Sequence, residues 1–415
     1  MWDLLIQHAT VTDTGPPVGI AVADGVIAAL APGLEGPAAR TIDAAGLVVL
    51  PGLVESHIHL DKALLEPRRP NVSGTLQDAI AITAALKRSF TYEDIYGRAE
   101  AVVRWAIRRG VTWMRTHVEV DPIVGLTGLR ALCALRETYR DLIDLQLVAF
   151  PQEGIFRAPG VADLLVQALD QGADLLGGVP YNDRDPEEHL DFVFDLAVKR
   201  GVDLDLHVDF SDDPSDRTVL SVAARTIARG YQGRVTVGHL TSLGAMAPEV
   251  AGGVIARIRE ARIHVVALPA TDLYLNGRGP VPPAHRGLTP VRKLLDAGVN
   301  VAISSNNVRN AFTPLGRADP LEGALLVAYA GHMGGPAERV RLVEMVTEAA
   351  ARVLRIETRY GLAPGCDADL VVVGSRRVAD VVADQPTRIA VIKRGRVILE
   401  TRVDETGDAR LMGIA

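Results

Sequence analysis

The feature that most constrains this fold is the alternation that fills the middle of the chain. Short apolar runs recur at 48–59, 112–118, 145–151, 175–179, 204–208, 235–239, 264–268 and 299–304. Between them lie stretches with helical spacing, at 77–90, 92–109, 127–140, 161–171, 186–200, 215–229, 247–261 and 290–297. Runs of four to eight apolar residues separated by amphipathic helices are the pattern of βαβ units, whose parallel sheet is covered on both faces. This number of units matches a (β/α)8 barrel, an architecture of about 250 residues. Strand order is not written in the pattern, so an open doubly wound sheet satisfies it as well.

The two ends read differently. Residues 1–48 alternate short apolar runs with turn chemistry such as Asp24-Gly25, and 360–415 repeat the style around Lys393-Arg394-Gly395-Arg396. Both read as β-hairpins. The expected organisation is therefore two β-rich ends, 1–48 and 360–415, around a barrel at 49–359. With 48% hydrophobic and 23% charged residues among 415, the chain has the composition of a folded protein. Its formal charge of −7 leaves no electrostatic footprint for nucleic acid or an anionic membrane. The start has no basic segment leading into an apolar run, and no apolar stretch approaches the roughly 20 residues needed to span a bilayer, so the expected location is cytoplasmic. Two distant cysteines, Cys133 and Cys366, exclude a disulfide framework and a thiolate zinc knuckle. Any bound metal must rest on histidine and carboxylate.

Histidine placement is then the informative feature. Barrel active sites stand at the carboxyl ends of the strands, and four of the ten histidines fall there: His57, His59, His207 and His239. Residues two apart on a strand face the same side, so His57 and His59 aim together into the barrel mouth, where His207 can join them around one cation. His117 and His264 are read as satisfied core or surface residues and not as ligands, and His8, His189, His285 and His332 as surface residues.

The segment Pro51-Gly52-Leu53-Val54-Glu55-Ser56-His57-Ile58-His59-Leu60-Asp61-Lys62 resembles the first-strand motif of the amidohydrolase superfamily, and its Leu-Asp-Lys tail resembles the cytosine deaminase branch. Further matches follow in order, at Pro151-Gln152-Glu153, Asp205-Leu206-His207-Val208-Asp209, Val237-Gly238-His239 and Asn307-Val308-Arg309. The resemblance implies a (β/α)8 barrel with a small β-sandwich built from both termini. It also implies one divalent metal, Zn or Fe, on His57, His59 and His207. Gln152 would bind the substrate's amide-like edge, and His239 would sit beside the water that the metal activates. Lys62 is read as an ion-pair or substrate contact near the rim.

Two positions depart from that pattern. Phe210 stands where the resemblance places a proton-shuttling glutamate, and Asn306 stands where it places a metal-binding aspartate. An amide is no base near neutral pH, and a phenyl ring neither gives nor takes a proton. Cytosine deamination by the family's route is therefore not expected. Three readings follow. The first is a metal-dependent hydrolase of a non-peptide C–N bond in a small cyclic or linear amide-like or amidine-like substrate, with a site of neutral ligands that binds metal weakly or not at all. The second is a metal-free hydrolase or lyase. The third is a non-catalytic paralogue that binds a small heterocycle. In the first, Asp209 shares strand parity with His207 and is the candidate base beside His239. Asp272 is a second carboxylate that either compensates for the missing one or caps a helix. Phe210, Asn306 and Asn307 line the pocket with Gln152 and Lys62. The expected partners are a small-molecule substrate and further copies of the chain, with apolar helices at 321–330 and 342–350 as candidate interfaces.

Overall fold

A computed structural model describes residues 1–278, 285–403 and 406. It divides into two units, one of residues 1–52 with 362–415 and one of residues 53–361.

The smaller unit holds two four-stranded sheets. In the first, Trp2–Ala9 lies between the antiparallel Val18–Ala23, which leads to Val26–Pro32, and the parallel Ala38–Asp43. Asp24 and Gly25, with φ of 52° and 78°, make the left-handed two-residue turn that suits a hairpin's twist. In the second, Val48–Pro51, Leu370–Val373, Arg388–Lys393 and Arg396–Glu400 follow one another antiparallel. Leu4, Ile6, Ile20 and Val22 of one sheet and Val49, Leu370, Val372 and Ile392 of the other form one buried cluster, so the unit is a sandwich. The apolar run expected as a single strand over 48–59 is two strands. Val48–Pro51 pairs with Leu370–Val373 in the sandwich, and beyond Gly52 the strand Leu53–Ile58 opens the barrel. The unit boundary accordingly falls a few residues later than the pattern placed it.

The larger unit is an eight-stranded parallel sheet in sequential order. Its strands are Leu53–Ile58, Val111–Glu119, Asp144–Phe150, Leu175–Gly178, Leu204–Val208, Val235–His239, His264–Ala267 and Val301–Ile303. The edges meet where Ile58 bridges Asn306, which closes the barrel. Most strand residues are buried, as expected of a sheet covered by helices. The expected helices are present with ends shifted by a few residues, except that 342–350 is not one helix. It spans the break between Pro336–Glu344 and Glu348–Leu354. No helix among the described residues is long and apolar enough to cross a membrane.

The loop after the first barrel strand contains the helix Leu76–Lys87. Its Ala79 and Ile82 pack with Phe210, Leu275, Ala311 and Phe312, residues that follow the carboxyl ends of the fifth, seventh and eighth strands. The helix ends on Lys87, whose buried ammonium pairs with Glu119 at 2.5 Å, Asp121 at 2.6 Å and Glu153 at 3.0 Å. Glu119 also receives Lys62 at 3.0 Å. Burial alone would raise the Glu119 carboxyl, but the two ammonium groups outweigh it and hold it down to about 2.

Removing one member of such a buried cluster strands the others without partners. Lys87→Met is expected to lower the unfolding free energy by about 3–5 kcal/mol, read from the urea midpoint. Because Glu119 titrates lower folded than unfolded, its contribution is complete above the ordinary carboxyl range near 4.5 and disappears as pH falls towards about 2. Stability measured across that window is expected to fall less steeply in Lys87→Met than in the natural protein.

Candidate active site

The site is assembled at the seam where the barrel closes. The backbone N–H of Asn306 donates to the His57 carbonyl and the Asn306 carbonyl accepts from His59 N–H, both at 2.9 Å. His57 N–H also donates to Ser304 Oγ at 2.7 Å. Strand alternation turns both imidazoles inward. Gly238, opposite, leaves room for them, since a Cβ there would lie 3.2 Å from His57 Cε1.

His207, from the fifth strand, brings its Nε2 to 3.1 Å from the Nε2 of His57 and 3.1 Å from that of His59. Nitrogens on a tetrahedral zinc at about 2.0–2.1 Å stand about 3.3 Å apart. Burial leaves these rings neutral, with His57 pushed down to about 3 and His59 and His207 well below the usual histidine range. The Nδ1 atoms of all three have no hydrogen-bond partner. A single proton on His207 Nε2 cannot satisfy every lone pair directed at this point, whereas a divalent cation can. The residues present therefore fit the group.

His117, read from sequence as a satisfied core or surface residue and not as a ligand, belongs to the same cluster. Its ring centroid lies 4.1 Å from that of His57, and ligand atoms of His57, His59 and His117 lie within 4.8 Å of one another. The signal was available in the second strand, where Arg115, His117 and Glu119 alternate with the same period as His57 and His59. His189, read as a surface residue, is buried. It pairs with Asp183 at 2.8 Å and accepts from Val179 N–H at 3.1 Å, which is a structural role.

His239, at the end of the sixth strand, is held on two sides. Its Nδ1 is 2.7 Å from Asp272 Oδ1, and the Phe210 ring stacks on it with centroids 3.8 Å apart and planes 21° apart. Asp272 stands in the first turn of the helix Pro269–Leu275 and also accepts from Leu268 N–H at 3.3 Å. Of the two roles open to it from sequence, it takes up the imidazole as well as the helix start. With Nδ1–H committed to Asp272, Nε2 is the nitrogen that His239 offers the pocket.

Asp209 is placed elsewhere. The fifth strand ends at Val208, and Asp209 adopts a φ of 53°, which turns its carboxylate to accept from Thr218 N–H at 2.8 Å and Val219 N–H at 3.0 Å at the start of the helix Thr218–Ala228. Burial pushes it up to about 6. The parity that pointed it inward ends with the strand, and its side chain does not line the pocket.

The pocket is lined by His59, His207, His239, Lys62, Gln152, Phe210, Asn306 and Asn307, with Tyr181, Thr271 and Phe312 as members that sequence reasoning missed. Lys62 Nζ donates to Gln152 Oε1 at 2.7 Å, so the Gln152 amide turns its N–H2 outward from that bond. Asn307 Oδ1 accepts from Asn310 Nδ2 at 2.7 Å, which fixes its amide in the same way. Asn306 is buried with a φ of 60°, a left-handed conformation that asparagine tolerates, and its Oδ1 has no partner. The pocket thus offers several fixed donors, the lone pair of His239 and the amide of Asn306. No carboxylate is among its lining residues.

Comparison with known proteins agrees with this fold. The model of the amidohydrolase family matches residues 40–401. N-isopropylammelide isopropyl amidohydrolase of Pseudomonas sp. (strain ADP) is 32% identical over 97% of this chain and 98% of its own length. Pterin deaminase of Rhizobium rhizogenes is 32% identical over 91% of this chain and 87% of its own. Among solved structures, 5-methylcytosine deaminase from Klebsiella pneumoniae superposes with a TM-score of 0.93 at 31% identity, covering 98% of this chain and 100% of that one. The family match, these relatives and the shared fold place this chain in the amidohydrolase family, as a hydrolase of carbon–nitrogen bonds other than peptide bonds.

Proposed function

We propose that the protein hydrolyses a C–N bond of a small amide-like heterocycle with one divalent cation, zinc or iron, held by His57, His59 and His207. The observation that supports this best is that His207 Nε2 lies 3.1 Å from the Nε2 of His57 and 3.1 Å from that of His59, beside a histidine fixed by a carboxylate. A cation there supplies Lewis acidity and lowers the pKa of a water.

The chain's own residues divide the remaining work. Lys62, Gln152 and Asn307 present donors to the carbonyl or ring-nitrogen edge of a substrate, which orients it without contributing a base. His239 Nε2 takes a proton and passes it to the departing nitrogen. Asp272 holds the Nδ1–H tautomer that this needs and stabilises the imidazolium that forms. Asn306 and Phe210 have no part in proton transfer. Phe210 instead gives the pocket an apolar wall against His239, which suits a leaving amine that carries alkyl groups or needs little proton assistance. One observation favours a second reading, in which the His239–Asp272 pair works without metal: Asn306 leaves the candidate ligand set without a negative charge.

Purified protein is expected to contain about one divalent metal per chain by elemental analysis, and His57→Ala to lose both metal and activity. Full activity in metal-stripped protein would favour the second reading. Activity is to be sought as amine or ammonia release from the compounds for which the relatives are named, N-isopropylammelide, pterins and 5-methylcytosine. On whichever is turned over, His239→Asn is expected to lower kcat by about 10²–10⁴-fold with the metal content unchanged. The double variant Asn306→Asp with Phe210→Glu is expected to gain deamination of cytosine-type substrates. No gain would mean that the pocket differs from the deaminases at more than these two positions.

A further inference from the structure

Beneath the three candidate ligands lies a charged pair that the proposed reaction does not use. Asp205 precedes His207 by two residues on the fifth strand, so its side chain enters the barrel on the same face, one layer deeper, and is fully buried. Its Oδ2 accepts from Arg115 NH1 at 2.9 Å. Arg115 is itself fixed, since its NH2 donates to the Val353 carbonyl at 2.8 Å and its Nε to Gln146 Oε1 at 3.0 Å. The other oxygen, Oδ1, has no hydrogen-bond partner, yet stands 3.5 Å from His57 Nδ1 and 3.4 Å from His117 Nε2. A shift of a few tenths of an ångström closes either contact.

His57 is an imidazole with two possible tautomers, and only one is useful at the convergence point. Its Nε2 faces His207, so a lone pair there requires the proton on Nδ1, the atom that faces Asp205. A carboxylate at that nitrogen selects this tautomer and makes the imidazole a stronger donor. The same carboxylate is the anion, among the described residues, that approaches a ligand imidazole in a site where Asn306 contributes none.

We infer that Arg115 and Asp205 form a positioning pair for the metal site: Arg115 holds Asp205 so that Oδ1 fixes the Nδ1–H tautomer of His57, which leaves the Nε2 lone pair for the cation. This rests on the reading of His57, His59 and His207 as ligands, and the test separates the two. His117 Nε2 stands 3.4 Å from the same Oδ1 on its other side.

Long-range ¹H–¹⁵N spectra of metal-free protein labelled in histidine, with the His57 signal assigned by its loss in His57→Gln, read the tautomer directly. The expected result is His57 protonated on Nδ1. Protonation on Nε2 overturns the proposal, and this measurement stands even where Asp205→Asn does not fold. In folded Asp205→Asn, competition against a chromophoric chelator is expected to show zinc affinity lowered about 10–100-fold, with Asn306→Asp in the same background recovering at least part of the loss. Equal affinity in Asp205→Asn and the natural protein overturns the proposal while leaving the ligand assignment intact. Zinc that binds neither protein contradicts the ligand assignment, and the tautomer then decides the present inference alone.

Discussion

The site depends on one short stretch of backbone pairing, where Asn306 exchanges hydrogen bonds with His57 and His59. A parallel sheet of eight strands becomes a barrel only if its edges meet, and here they meet at a single bridge between Ile58 and Asn306. Closure turns the strands' period of two into a convergence, because every second side chain of every strand now points at one axis. Imidazoles from the first, second, fifth and sixth strands reach that axis for this reason. The residue that closes the ring, Asn306, sits in the left-handed region and presents an amide where the resemblance leads one to expect a carboxylate.

That exchange changes the electrostatics more than the geometry. Three buried imidazoles form a neutral set, and a cation among them meets no directly bound negative charge. The anions around the cluster stand one layer out, Asp205 under His57 and Asp272 behind His239. Asp272 bonds His239 Nδ1 at 2.7 Å, whereas Asp205 faces His57 Nδ1 from 3.5 Å. The Phe210 ring covers His239 where a glutamate would have offered a second proton carrier.

Much of this was legible in the sequence, and what was not has physical reasons. The strands Leu204–Val208 and Val235–His239 stand where the sequence pattern put them, because Leu204, Leu206 and Val208 alternate with Asp205 and His207, and Val235 and Val237 alternate with Thr236, at the period of two that a strand needs. The run at 48–59 misled because apolar character continues through Gly52 while the pairing partner changes from one sheet to another. His117 was passed over although Arg115, His117 and Glu119 show the inward alternation plainly, since a lone histidine within a strand carries no sign of what it will face. The partnership of Asp272 with His239 spans 33 residues of sequence and is decided by how a helix start meets a strand end. Asp209 kept the right parity one residue too long, past the point where the backbone turns to meet a helix. Nothing in the sequence singles out Lys87, and only folding brings Glu119, Asp121 and Glu153 around it.

The central claim is that His57, His59 and His207 form one cation site at the barrel seam. Anomalous diffraction from crystals of the zinc-loaded protein tests it most directly. A single strong peak about 2.0–2.1 Å from the three Nε2 atoms is the result this account requires. A peak held by His117 in place of His207, or no peak within the histidine cluster at saturating zinc, would contradict it.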